Sequence, residues 1–193
     1  DLGKKTFLDA ILIMLDSIEA FALRFSVRAG EMARAEPDGQ RRAELQDIAR
    51  ICGRVPMHPA QSFREAVQSV WFIQLLLQIE SNGHSVSYGR LDQYLNRFLA
   101  ADLANGVITE EAACELLETL WIKTYSINKV RSWAQTRTTA GNPLYQNVTI
   151  GGQTPDGSDA VNPLSDLVLK SSGRTRLPQP NLTVRSHRSL PDD

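Results

Sequence analysis

From Ser62 to Ile79 the chain reads S-F-R-E-A-V-Q-S-V-W-F-I-Q-L-L-L-Q-I, a helical run whose second half is apolar on nearly every side. A helix of that kind has to be enclosed by other elements, so the chain is committed to a layered fold with this helix inside it. Ser62 with Glu65 fits a capping box at its start. Gln74 and Gln78 interrupt the run, and it is too short to cross a bilayer. It empties into Glu80-Ser81-Asn82-Gly83-His84-Ser85-Val86-Ser87, a loop with a carboxylate, an amide, an imidazole and hydroxyls. Convergent polar groups on a loop held by an apolar scaffold are the usual construction of a small-molecule site. The residue types also admit a plainer account, with Glu80 and Asn82 capping helix ends, Gly83 supplying a left-handed turn and His84 a structural imidazole.

The flanking sequence predicts what encloses that helix. Thr6 to Met32 carries the apolar stripe Phe7, Leu8, Ile11, Leu12, Leu15, Ile18, Ala22, Phe25, with Thr6 and Asp9 as a capping pair. After the turn at Glu36-Pro37-Asp38-Gly39, Arg41 to Cys52 resumes a helix, making a helical hairpin, and Gly53 to Gln61 is a connector. Leu91 to Leu103 is a helix stopped by Asn105-Gly106, and Thr109 caps another containing Ala113, Leu116, Leu117, Leu120 and Trp121. Ser132 to Leu144 lacks an apolar period and reads as a loop of ~10 residues. Gln146 to Ile150 is strand-like, Thr154 to Gly157 is a turn, and Asn162-Pro163 opens a helix that runs to about Ser172 and ends at Gly173. Asn181 to Arg185 is a second strand, so two parallel strands with a right-handed crossover are expected. The fold class is therefore α/β, a mainly helical part over residues 1–130 and a strand-helix-strand part over 145–190.

Several function classes are disfavoured. A formal net charge of −1 offers no field for nucleic acid or an anionic membrane surface. Two cysteines make no disulfide framework, so a reducing cytoplasm is the default. Both Cys52 and Cys114 fall on apolar helical positions and read as small hydrophobes. His58, His84 and His187 are too dispersed for a metal set, and Gly151-Gly152 is followed by Gln153-Thr154 rather than a nucleotide loop. His84 beside Ser85 lacks the third, orienting member of a hydrolase triad. The start at Asp1 and the terminal Leu190-Pro191-Asp192-Asp193, which reads like the opening of another helix, suggest a piece of a longer polypeptide.

Four strings carry a more specific resemblance: Glu80-Ser81-Asn82-Gly83-His84-Ser85; Gly89-Arg90-Leu91-Asp92-Gln93-Tyr94; Tyr145-Gln146-Asn147-Val148-Thr149-Ile150-Gly151-Gly152; and Leu177-Pro178-Gln179-Pro180-Asn181-Leu182-Thr183-Val184-Arg185. In this order and spacing the chain, from about Phe7 to its last residue, resembles the glycyl radical enzymes of the pyruvate formate-lyase family. The resemblance implies a ten-stranded α/β barrel whose centre sets a cysteine on one loop against a glycine on another. It implies a glycyl radical installed by a separate activating enzyme that uses S-adenosylmethionine and an iron–sulfur cluster, with no bound metal or nucleotide. An anaerobic cytoplasmic homodimer acting on a small-molecule substrate completes that picture.

The family's Gly-Cys motif and its Arg-Val-Ala-Gly-Tyr-like motif are not found here, so the resemblance places these residues in the middle of such a protein, inert alone. The remainder of the same polypeptide has to supply both radical residues, and no catalytic residue is expected in this segment. His84 and Ser85 match the Gly-His-Ser of members similar to glycerol dehydratase and choline trimethylamine-lyase, where these positions border substrate. That favours dehydration or elimination across a C–O, C–N or C–S bond of a small polar molecule. Acyl transfer between pyruvate, formate and coenzyme A, and a non-catalytic helical binding or assembly module, are the alternatives. Thr139 stands where those members have a phenylalanine, either widening the pocket wall or merely capping a turn. Arg90 and Asp92 read as a charged pair holding the loop against the next helix, structural neighbours of the site together with Glu80 and Gly83.

Overall fold

Asn162 and Pro163 divide the two strands of the α/β part as their residue types require. The computed structural model describes residues 1–82, 85–139 and 144–188. In it, strand β2 (Asn147–Gly151) and strand β3 (Asn181–Arg185) are parallel, joined by helix α7 (Pro163–Thr175). Asn162 caps that helix through a reciprocal pair, its side chain receiving the Leu164 N–H at 3.0 Å while Ser165 Oγ receives the Asn162 N–H at 3.1 Å. The helix does not stop at Gly173 but continues to Thr175, and Arg176 takes the left-handed cap conformation instead. A third strand, β1 (Gly89–Arg90), pairs parallel with β2 on the side away from β3. It is two residues long, too short to carry a periodic signal.

Six further helices precede or flank the sheet: α1 (Leu2–Ala35), α2 (Gly39–Cys52), α3 (Phe63–Glu80), α4 (Leu91–Ala104), α5 (Glu110–Tyr125) and α6 (Trp133–Thr139). The main core joins Leu91, Leu95 and Leu99 of α4, Leu117 and Trp121 of α5, Leu164 and Val168 of α7, and Val148 and Ile150 of β2. Asp102, near the end of α4, accepts the first backbone N–H of α3 from Phe63 at 2.7 Å, so one helix caps another. Among the described residues no helix is long and apolar enough to cross a membrane.

Four sequence expectations need correction. The N-cap of α1 is Asp1, whose carboxylate receives the Gly3 N–H. Thr6 lies inside the helix with its hydroxyl on the Leu2 carbonyl, and Asp9 pairs with Lys5. The box at α3 is only half closed. Ser62 Oγ accepts the Glu65 N–H, but the Glu65 carboxylate receives Gln61 N–H at 2.9 Å and the Arg50 and Arg54 guanidiniums. The segment after Ser132 is no plain loop, because residues 133–139 form α6. Most consequential, α3 is not enclosed on all sides past Phe72: Leu77 is 46% and Ile79 62% exposed, while Gln74 and Gln78 are the buried positions there.

Candidate functional site

The polar loop after α3 is tied to the start of β2 by two backbone bonds and one return bond to a side-chain hydroxyl. Ser85 N–H donates to Leu144 O and Tyr88 N–H to Asn147 O, each at 2.9 Å, while Ser87 Oγ receives the Asn147 N–H at 3.1 Å. Ser85 is exposed and takes a positive φ of 60°, a conformation most residues avoid. Asn82, at φ 50°, turns the chain out of α3 and anchors it by donating from Nδ2 to Val130 O at 2.9 Å. The cap position of α3 belongs to Ser81, with Glu80 the exposed last helical residue. Gly83 and His84 lie outside the described residues.

Behind the loop sits a buried cluster of amides. Gln74 and Gln78, one turn apart on α3, each donate to Gln146 Oε1 at 3.0 Å and to the Val86 carbonyl at 2.8 and 3.4 Å. Gln146 in turn donates to Thr124 O at 3.2 Å, and Tyr88 OH lies 2.6 Å from Thr124 Oγ1. Burial pushes the Tyr88 phenol well above its ordinary range, so it is a neutral hydroxyl at every ordinary pH.

The two longer strands present a polar face that motif reading missed. In register, Asn147 meets Asn181, Thr149 meets Thr183 and Gly151 meets Arg185. The alternate positions Val148 and Ile150 are buried against the helices, so the amides and hydroxyls share the opposite face, which continues from the Ser85 loop. The period-two alternation N-V-T-I and N-L-T-V was the available signal.

Arg90 and Asp92 do not pair with each other. Asp92 Oδ2, fully buried, accepts the Gly151 N–H at 2.8 Å and the Ser165 hydroxyl at 2.7 Å, while Arg90 donates to Gly151 O at 2.7 Å and Gln153 O at 3.0 Å. The two side chains thus grip one residue from opposite polar ends. Gly151 (φ 68°) leaves β2 where an added Cβ would meet Arg185 O at 3.2 Å, which accounts for the glycine without any nucleotide. Thr139 closes α6, its hydroxyl donating to Gln135 O at 2.7 Å and receiving Arg131 at 2.6 Å. Its single proton is therefore committed inside its own helix.

Neither thiol of this segment fits the part of a hydrogen-abstracting cysteine. Cys52 is packed with Ala22 and Phe72, its thiol pushed up to about 11 by burial, and Cys114 is buried on α5 with burial raising it as well. Among the described residues no group of three His, Cys, Asp or Glu is placed to hold a metal ion. The largely apolar cavity of about 410 Å³ between α1, α2, α3 and α5 has no lining residue from the loop or the strands.

Known proteins share this arrangement. The family model described as pyruvate formate lyase-like matches residues 1–193. The probable dehydratase YbiW of Escherichia coli (strain K12) is 48% identical over 197 residues, covering 100% of this chain and 24% of that protein. Isethionate sulfite-lyase of Nitratidesulfovibrio vulgaris is 43% identical over 191 residues, 98% of this chain and 23% of that one. The glycerol-bound B12-independent glycerol dehydratase from Clostridium butyricum superposes with a TM-score of 0.93 at 40% identity, over 99% of this chain and 24% of its own. The chain thus spans about a quarter of the length of these relatives. Strand, crossover helix, strand and the polar loop joined to them are those of the pyruvate formate lyase-like family, to which this chain belongs.

Proposed function

We propose that the complete polypeptide is a glycyl radical dehydratase or eliminating lyase for a small polar substrate, and that this chain builds one wall of its reaction chamber. The observation that carries the reading is the joining of the Ser85 loop to the polar face of β2 and β3, whose amides and hydroxyls end at Arg185. The activities named for the relatives, a probable dehydratase, an isethionate sulfite-lyase and a glycerol dehydratase, support elimination over acyl transfer. A glycyl radical on a glycine outside this segment, passed to a cysteine sulfur that is also outside it, would supply hydrogen abstraction from substrate carbon. The residues of this chain bind and orient. Ser85 and His84 offer a hydroxyl and an imidazole to a substrate hydroxyl, and Asn147, Thr149, Asn181 and Thr183 line a hydrogen-bonding wall with Arg185 at its far end. Thr139 is assigned to the rim of that wall and Glu80, Gly83, Arg90 and Asp92 to its support. An oxygen-free cytoplasm, a homodimer and a separate radical-installing enzyme belong to the same reading.

The test is anaerobic activation of the full-length protein, followed by electron paramagnetic resonance and an assay for water or sulfite release from a panel of diols and hydroxysulfonates. A glycyl radical signal and turnover of one class are expected, with Ser85→Ala and His84→Ala each lowering kcat/KM by about tenfold or more. No radical after competent activation, or acetyl-coenzyme A formed from pyruvate, would overturn it.

A further inference from the structure

We propose that Gln74, Gln78 and Gln146 act as positioning residues, a buried three-amide clamp that sets where the Ser85 loop stands relative to the sheet. The inference rests on the reading of that loop as substrate-facing. All four N–H bonds of the Gln74 and Gln78 amides are used, two on Gln146 Oε1 and two on Val86 O. This fixes the Gln146 amide in one sense. Turned over, its NH₂ would face two other NH₂ groups and its oxygen would face Thr124 O. Thr124 is itself located, since its hydroxyl donates to Leu120 O and so must accept from Tyr88 OH, the residue at the far side of the loop. The loop is thereby gripped at Val86 and at Tyr88, on either side of Ser87 and immediately beyond Ser85.

The chemistry of these positions argues against simple filling. Phe63, Ala66, Val67 and Phe72 are the buried apolar positions of this helix, whereas at its end the buried positions are amides and the leucines between them are half-buried or exposed. Three buried amides are costly unless paired, and the two backbone carbonyls they serve belong to the loop and to the end of α5. Only glutamine supplies two donors and one acceptor at that reach, and leucine at Gln146 leaves one donor on each of Gln74 and Gln78 unpaired. Slippage of the loop by one residue would remove Val86 O from both donors at once. Gln78 Oε1 is left without a partner among the described residues, but the donor pairings close in only one arrangement and so define it.

The experiment compares the full-length protein with Gln146→Leu and with the triple variant Gln74→Leu, Gln78→Leu, Gln146→Leu. The triple variant removes the three amides together, leaving no buried amide donor unpaired, and so is expected to lose less unfolding temperature than Gln146→Leu. Two quantities are read: hydrogen exchange at the Ser85 and Tyr88 amides before activation, and kcat/KM after it. Exchange is expected to rise about tenfold and kcat/KM to fall by a similar factor in both variants. Unchanged exchange at Ser85 and Tyr88 overturns the clamp. Faster exchange with unchanged kcat/KM overturns instead the substrate-facing reading beneath it, as would inert Ser85→Ala and His84→Ala changes in an intact clamp. If the triple variant does not accumulate, Gln78→Leu, which leaves Gln74 serving both acceptors, carries the same readouts with an effect of about threefold.

Discussion

The two halves of α3 and what lies against them behave in opposite ways. Near its start, Phe63, Ala66 and Val67 are buried in the core that α4, α5 and α7 build over β2, where apolar side chains are inside. Near its end Gln74 and Gln78 are inside while Leu77 and Ile79 face out. The same contrast separates α5 from α1, whose stripe is half completed. Ala22, Ala29 and Ala33 are buried, but Phe7 is 65% and Leu12 59% exposed. Exposed stripes of this length on a chain spanning a quarter of its relatives teach that amphipathicity reports the whole protein, whereas burial reports only the partners present.

The contrast can be broken most sharply by truncation. In the full-length protein Trp121→Ala, which empties a fully buried site and removes the indole donor to Ser171 Oγ, is expected to cost about 3–5 kcal/mol in chemical denaturation. Leu12→Ala should cost about 2 kcal/mol or more there, because further sequence covers α1. An effect within about 0.5 kcal/mol would mean the stripe is surface after all.

A polar interior position comes next. Asp92→Ala strips the Gly151 N–H and the Ser165 hydroxyl of their acceptor, with an expected loss of about 2–3 kcal/mol by the same measurement. If Arg90 were its true partner, as the sequence suggested, Arg90→Ala would cost as much. The structure expects far less, since Arg90 serves carbonyls at the half-exposed exit of β2.

The smallest effect concerns acid. Burial alone would raise the Glu65 carboxyl, but the Gln61 N–H and the Arg50 and Arg54 guanidiniums outweigh it and hold the group below its ordinary range. Its contribution is therefore complete above the unfolded value of ~4.3 and lost as pH falls through the lower folded value. Glu65→Gln is expected to cost about 1 kcal/mol at neutral pH and to flatten the stability profile below pH ~4, measured by denaturant midpoints across pH.

What could be read ahead of the structure was what short-range physics decides. Asn162-Pro163, Thr109 and Asn105-Gly106 mark helix boundaries because caps act within four residues, and the N-x-T alternation marks strands for the same reason. The inverted end of α3 was out of reach, since periodicity names a face without naming its partner. Gln74 and Gln78 were visible as breaks in an apolar run, yet their meaning depends on Gln146, some seventy residues away. Ser85, Arg90 and Asp92 could be singled out through family resemblance, but not that Arg90 and Asp92 converge on Gly151. Thr139 could be read as wall or cap, and the geometry accounts for its hydroxyl within α6.

The sheet has one further implication. Among the described residues β3 pairs only with β2, so its outer rim shows a row of backbone donors and acceptors along Asn181–Arg185 with no ladder beyond them. Such a rim templates another strand. In the whole protein it is where the barrel wall has to continue, and in a truncated product it is where one copy would stitch itself to the next, so this segment expressed by itself should aggregate through β3 before it fails anywhere else.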